Sequence, residues 1–476
     1  MHVATSPAFK SNATKAIADA GLQKALARSR PQFMARRSAA VAALPEFEAL
    51  RDTARDIKNH TLANLDFYLE RFAEKVEAAG GTVHWCATAD EAREAVLRIC
   101  QDAGARTVTK GKSMISEELA INDHLEANGI QPIETDLGEY IIQLRHELPS
   151  HIIAPAFHLN REDWEAQFRK SHTDLPADRV FHERRDILTE ARAKLRARFL
   201  AADVGITGAN FLIAETGSSV IVTNEGNGDL TQTLPRVHIA LASIEKVVPT
   251  LEDCASILRV LARSATGQAM SVYTTFSTGG RRAGDPDGPE EYHVVLVDNG
   301  RSSMLGGEFQ DMLRCIRCAA CMNHCPVYGS VGGHAYGWVY PGPMGSVLTP
   351  ALIGVDKAGH LPNASTFCGK CESVCPVRIP LPNLMRHWRE REFERHLTPS
   401  GVRTNLALWG FFARRPSLYR MATRAGALSL GWLGRKRGRF ARMPLASGWT
   451  GGRDLPAPEG DTFFARYARA QRSGRA

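Results

Sequence analysis

Seven of the chain's ten cysteines fall between Cys315 and Cys375, and their spacing constrains the fold more than anything else in the 476 residues. The first group reads Cys315-Ile-Arg-Cys318-Ala-Ala-Cys321-Met-Asn-His-Cys325-Pro326. Thiolates three residues apart on a loop reach three irons of one cubane cluster. A fourth cysteine followed by proline starts a new direction and ligates the other cluster of a pair. The second group, Cys368-Gly-Lys-Cys371-Glu-Ser-Val-Cys375-Pro376, repeats the last three positions fifty residues later, pairing 318 with 368, 321 with 371 and 325 with 375. The pair rule assigns Cys315, Cys318, Cys321 and Cys375 to cluster one, and Cys325, Cys368 and Cys371 to cluster two. A structural zinc site usually takes two C-x2-C pairs and four ligands in one tetrahedron; the C-x2-C-x2-C-x3-C-P spacing points to iron–sulfur clusters instead.

Two complete cubanes need one more thiolate than the seven present, and Ser365 occupies the place of the missing one. Cluster one is expected to be [4Fe–4S]. Cluster two is expected to be [4Fe–4S] or [3Fe–4S], with the open iron left to Ser365, water, a substrate or a partner. Between the motifs, Tyr336–Gly345 is rich in aromatic residues, proline and glycine and can shield the clusters from water, which adjusts their potentials. His324, beside Cys325, reads as a neighbour of the cluster rather than a ligand.

The other three cysteines, Cys86, Cys100 and Cys254, are scattered. Clustered cysteines in a chain without an apolar leader over Met1–Lys10 point to metal rather than disulfides, and to the cytoplasm. A hydrophobic fraction of 44% and a charged fraction of 23% suit a soluble chain of several domains. No apolar run approaches the roughly 20 residues of a membrane helix. The net charge of +8 is uneven: from Arg395 onward sixteen Lys/Arg face three Asp/Glu, a balance of +13, which leaves −5 for the rest.

Helical periodicity marks residues 1–80. Alternation of strands and helices then sets in, with strands expected at Thr82–Ala87, Arg106–Lys110 and Ile130–Asp136. Thr88-Ala-Asp-Glu91 is a capping box opening a helix to about Ala103, and a second helix is expected over Ser116–Ala127. Such repetition predicts a parallel sheet with crossover helices. Phe211–Ala214 and Val220–Val222 flank a turn and read as a hairpin. Strands at Val237–Ala242, Met270–Phe276 and Tyr292–Val297, and a helix near Ser256–Ser264, complete the domain. The fold class is α/β in four segments: an N-terminal helical region (1–80), an α/β domain (81–300), a mostly helical two-cluster ferredoxin-type domain (301–392) and a basic tail (393–476). Pro456 and Pro458 suggest extended or disordered chain in the tail.

Several segments of the α/β region carry a resemblance. They include Lys110-Gly-Lys-Ser-Met-Ile-Ser-Glu-Glu118, Glu134-Thr-Asp-Leu-Gly-Glu139, Pro149-Ser-His-Ile-Ile-Ala-Pro155, Ala214-Glu-Thr-Gly-Ser-Ser219 and Thr233-Leu-Pro-Arg-Val-His238. With the cysteine pattern they resemble the lactate utilization protein B family along nearly the whole chain. That resemblance implies a bacterial cytoplasmic iron–sulfur protein needed to oxidise L-lactate to pyruvate. It implies companions, lactate utilization proteins A and C. It also implies an LUD-type domain, of the sugar-isomerase and CoA-transferase-like kind.

The residues themselves add candidates. Lys110 and Lys112 lie between a strand and a helix, where open α/β sheets bind anions. Lys110, Lys112, Ser113, Arg236 and His238 are candidate contacts for a carboxylate and hydroxyl, and Glu139 and Glu215 are candidate acid/base groups. Each has a structural alternative as an ion pair or cap. No G-x-G-x-x-G, P-loop or nucleophile elbow indicates nicotinamide or ATP. The basic tail suits an acidic partner or an anionic membrane face near an electron acceptor. No nucleic-acid module accompanies it. The leading function is electron transfer in lactate oxidation. The alternatives are an enzyme using the open iron of cluster two as a Lewis acid, or a redox-regulatory protein.

Overall fold

The computed structural model describes residues 3–443, 447–450 and 452–474. Contacts divide the chain into two units, Met1–Arg391 and Glu392–Ala476.

The first unit is built on a six-stranded sheet. Its strands are β1 (Thr82–Cys86), β2 (Thr107–Lys110), β3 (Gln131–Glu134), β4 (Val204–Gly208), β7 (Val237–Ser243) and β10 (Glu291–Val297). Their order is β1-β10-β7-β4-β2-β3, and every neighbouring pair is parallel. All seven residues of β7 are buried, as expected of a central parallel strand covered on both faces. One face packs Val96, Leu97, Leu119 and Leu125 from helices against Val204, Ile206 and Ile239. The other receives Leu69, Phe72 and Val76 of the helix Leu65–Ala78 against Ala240, Ala242 and Val294.

A second, mixed sheet has the order β8-β5-β6-β9, with β5 (Phe211–Ile213), β6 (Ser218–Thr223), β8 (Val247–Val248) and β9 (Tyr273–Ser277). The hairpin β5–β6 turns at Gly217, φ +71°, where a Cβ would lie 2.6 Å from the Val76 backbone nitrogen.

The expected helix over 116–127 is broken. It runs as Met114–Leu119 and Ile121–Ala127, with Ala120 left-handed at φ 52° and Arg93 donating to the Leu119 carbonyl at 3.1 Å. A distant arginine thus takes the carbonyl that the helix would have used. Residues 137–200, unassigned from sequence, hold helices Leu137–Arg145, Arg161–Ser171 and Arg184–Leu200 with a core of their own around Phe168 and Ile187.

The N-terminal helices Phe9–Ala18, Ala20–Ala42 and Phe47–Ala63 share one apolar core with the cysteine segment. In that segment the helical turns Ala320–Asn323 and Lys370–Ser373 sit fifty residues apart. Positive φ recurs at the same offset, at Arg317 and Phe367 and again at Ala319 and Gly369. The repeat is therefore one of backbone conformation as well as of cysteines.

In the second unit the helices are Ser400–Ala413, Pro416–Gly434 and Phe463–Arg472. The chain around Pro456, expected to be extended or disordered, pairs as Leu455–Pro456 antiparallel to Arg439–Phe440. Leu408, Trp409, Phe411, Trp432, Leu433 and Phe463 are exposed. Among the described residues no helix is long and apolar enough to cross a membrane.

Candidate functional site

The seven cysteines converge as two sets. Burial and then the charge of Cys375 push the Cys318 thiol up, and Cys315 adds to this. Cys321 is raised well above its usual value by burial and then by Cys318, Cys315, Cys371 and Cys375. Cys371 is pushed up to about 12 by burial and then by Cys325, with Cys368 adding. Cys315, Cys318, Cys321 and Cys375 thus act on one another, as do Cys325, Cys368 and Cys371, and Cys371 bears on Cys321 more strongly than Cys375 does. Cys321 feels Cys371 across the two sets. Cys368 is exposed and lowered, chiefly by the Lys370 backbone N–H.

All seven are free thiols, and all but Cys315 and Cys368 are buried. Backbone N–H groups point at the cysteines that precede proline. Ile379 donates to the Cys375 sulfur at 3.4 Å, and the Val327 and Tyr328 N–H groups meet Cys325. Soft donors gathered in sets of four and three, with N–H groups aimed at sulfur, fit iron–sulfur clusters. Ser365 is half-buried, and its Oγ accepts from the Phe367 N–H at 3.1 Å. The shielding aromatics are in place: Tyr336, Trp338 and Tyr340 are buried, and the charges of Cys325 and Cys321 add to the burial that raises the Tyr336 phenol. His324 turns Nδ1 to the Ala320 carbonyl at 2.9 Å.

The N-terminal helices brace these loops with arginines that sequence reasoning did not single out. Arg51 donates to the Cys375 carbonyl at 3.0 and 2.7 Å and to the Ser373 carbonyl at 2.9 Å. Arg37 reaches the Val374 carbonyl at 3.0 Å and Arg30 the Asn323 carbonyl at 2.9 Å. They bond backbone more than 290 residues away, so no local pattern marks them. Their charges would also offset that of an anionic cluster held by these cysteines.

A buried ion network ties the sheet to the first cysteine loop. Arg301, wholly buried, meets Glu118 at 2.6 Å and Glu245 at 3.1 Å. Tyr340 donates to Glu118 at 2.7 Å. Arg317 pairs with Glu245 at 3.3 Å and lies 4.9 Å over the Tyr340 ring.

A cavity of about 270 Å³ opens at the C-terminal ends of β2, β4 and β7. Lys112, Ser113, Asp136, Thr223, Glu225 and Lys246 line it from the α/β side, and Arg317 and Tyr340 from the cysteine segment. Its position is the one open parallel sheets use for ligands. Ser113 also caps the helix Met114–Leu119 through the Ser116 N–H.

Among the candidates in the α/β domain, then, the cavity brings together Lys112 and Ser113. Lys110 lies elsewhere, buried against Glu134 at 2.6 Å, Glu117 at 3.5 Å and Asn122 at 2.7 Å. Glu139 belongs to that cluster, with carboxylate oxygens of Glu117, Glu134 and Glu139 within 4.8 Å of one another. Burial and those neighbours raise it well above the usual carboxylate range. Arg236 pairs with Glu291, and Glu215 accepts from the Leu251 N–H at 3.1 Å. His238 is buried 2.8 Å from the Thr207 hydroxyl. Lys246 and Arg317 complete the cavity and had no motif to announce them.

Fold and site together define an iron–sulfur protein in which a parallel α/β domain adjoins a two-cluster ferredoxin-type segment. The LUD domain family matches residues 69–297, and the 4Fe-4S dicluster domain family matches residues 311–379. A lactate utilization protein B of Macrococcus caseolyticus is 45% identical over 426 residues, covering 88% of each chain. That of Bacillus subtilis is 42% identical over 475 residues, covering 98% of this chain and 97% of its own. An uncharacterized electron transport protein of Escherichia coli, YkgF, is 41% identical over 472 residues, covering 97% of each. The chain belongs to the lactate utilization protein B family.

Proposed function

We propose that this protein is the iron–sulfur electron-transfer component of a complex that oxidises L-lactate to pyruvate, allowing growth on lactate. The observation that carries the reading is the convergence of the thiols, with Cys321 acted on by Cys318, Cys315, Cys371 and Cys375. The names of the relatives, lactate utilization protein B and electron transport protein, support it. In this reading Cys315, Cys318, Cys321 and Cys375 hold a [4Fe–4S] cluster, and Cys325, Cys368 and Cys371 hold a second, [4Fe–4S] or [3Fe–4S]. The clusters supply one-electron transfer. The chain's own contribution is to place them side by side, to aim N–H groups and arginines at them, and to exclude water with Tyr336, Trp338 and Tyr340.

The functional segments are 1–80, 81–300, 301–392 and 393–476. Lactate utilization proteins A and C are the partners, in the cytoplasm. The exposed apolar residues and positive charge of the tail suit docking to a partner or an anionic membrane surface beside the electron acceptor. The alternative, Lewis-acid catalysis at the open iron, rests on Ser365. It is disfavoured because none of Cys325, Cys368, Cys371 or Ser365 lines the cavity.

The test is anaerobic. The purified protein is mixed with L-lactate, with and without proteins A and C, and cluster reduction is followed by visible absorbance. Reduction that needs the partners is expected. Reduction by lactate with this protein alone, or none with all three, overturns the reading.

A further inference from the structure

The ammonium of Lys246 is the least explained charge in the α/β domain. Lys246 is 9% exposed, lines the cavity and makes no hydrogen bond or ion pair with any described residue. Burying a charge without a partner is costly, so such a group is retained where something else completes it. Arg317 stands beside it, and of all the charges acting on Lys246 that of Arg317 bears most strongly. Arg317, left-handed at φ 58° between Cys315 and Cys318, also lines the cavity, and the Cys315 thiol acts on its charge. Lys112 adds a third cation; its ammonium donates to the Ile153 carbonyl, which leaves two of its three protons for a ligand. The buried Thr223 hydroxyl, also on the cavity wall, has no hydrogen-bond partner. Elsewhere on the wall stand the carboxyl groups of Glu225 and Asp136.

Three cations, an unpaired hydroxyl and two carboxyl groups describe a ligand with an anionic end and a hydroxyl or carbonyl next to it. The volume, about 270 Å³, is near the lower end of small-molecule sites, roughly 300–1,000 Å³, and too small for a dinucleotide. We propose that this cavity binds a small 2-hydroxy or 2-oxo monocarboxylate, its carboxylate held by Lys246 and Arg317 and its second oxygen by Lys112 and Thr223. The identification of the acid as L-lactate or pyruvate rests on the function proposed above; the anion site rests on the cavity alone. Because Arg317 lies between Cys315 and Cys318, the bound acid sits at the edge of cluster one, and its charge is felt there.

A rival account is that Lys246 and Arg317 only offset the charge of cluster one. Calorimetric titration of the anaerobic, cluster-loaded full chain separates the two. L-lactate and pyruvate are each expected to bind at a single site more tightly than acetate, with binding weakened at least about tenfold in Lys246→Met, the loss of one charge-assisted contact. Thr223→Val changes the volume little and tests the same site if Lys246→Met fails to load its clusters; it is expected to weaken binding several-fold. The absence of binding up to about 10 mM of either acid overturns the proposal. So does affinity unchanged in both variants, or acetate binding as tightly as L-lactate. Lactate-driven cluster reduction in the three-protein mixture is a separate readout. Success there without binding here places lactate on a partner and leaves the electron-transfer role standing.

Discussion

Truncation of Glu118 is expected to destabilise the α/β domain and the cysteine segment together. Glu118 is 1% exposed and accepts four hydrogen bonds: from Arg301 at 2.9 and 2.6 Å, from Asn299 at 2.7 Å and from Tyr340 at 2.7 Å. Glu118→Ala leaves the Arg301 guanidinium, wholly buried, with Glu245 alone for a charged partner. Breaking a buried ion pair from one side costs about 3–5 kcal/mol. Stranding the Tyr340 hydroxyl adds about 1–3 kcal/mol, less whatever the site recovers by relaxing. A loss of about 4–5 kcal/mol is therefore expected. It would be read as a fall in the urea midpoint under anaerobic conditions, followed by circular dichroism and by bleaching of the cluster absorbance. The two signals should fall together, because the network joins the helix Met114–Leu119 to Tyr340. The double variant Glu118→Leu, Arg301→Met removes both charges and should recover a good part of the loss. A single variant within about 1 kcal/mol of wild type, or a double variant no better than the single, would refute the reasoning.

Three further outcomes are expected. Ser365→Cys supplies the eighth thiolate, so cluster two should hold its fourth iron through treatment with a chelator that strips it from the wild type; unchanged iron content counts against the 4 + 3 arrangement. Arg51→Met removes a cation beside Cys375 and should make the cluster-one potential more negative, since a nearby positive charge favours the reduced form; it also leaves the Cys375 carbonyl short of its donor, at about 1–3 kcal/mol, read by voltammetry and urea titration. Burial and the nearby His293 hold the His238 imidazole at about 3, against about 6.5 in the unfolded chain. This folded pKa is depressed, so the neutral ring's contribution is present above pH 6.5. It is lost as pH falls from there toward 3, at up to about 1.4 kcal/mol per pH unit, and His238→Gln should flatten that part of the stability profile.

The parts of the molecule legible in the sequence are those whose physics is local. Thiolate spacing is local in that sense, so the two cysteine groups and their fifty-residue offset could be read directly. Buried parallel strands such as Val237–Ser243 read as continuous apolar runs. What was not legible is long-range. Arg37 and Arg51 look like ordinary helix-surface residues until the Val374 and Cys375 carbonyls arrive from the far end of the chain. Lys110 seemed as good an anion contact as Lys112, and only the placement of Glu134 and Asn122 separates the structural lysine from the one in the cavity. The break at Ala120 has no glycine or proline to signal it.

The central claim is that two clusters share these seven cysteines four to three. It is tested most directly by electron paramagnetic resonance of the anaerobically purified, dithionite-reduced protein, recorded for the wild type, Cys318→Ala and Cys371→Ala. The account predicts two paramagnetic centres that interact in the wild type, with each substitution abolishing a different one and the survivor no longer showing the interaction. A single centre in the wild type, or the loss of the same signal in both variants, would contradict it.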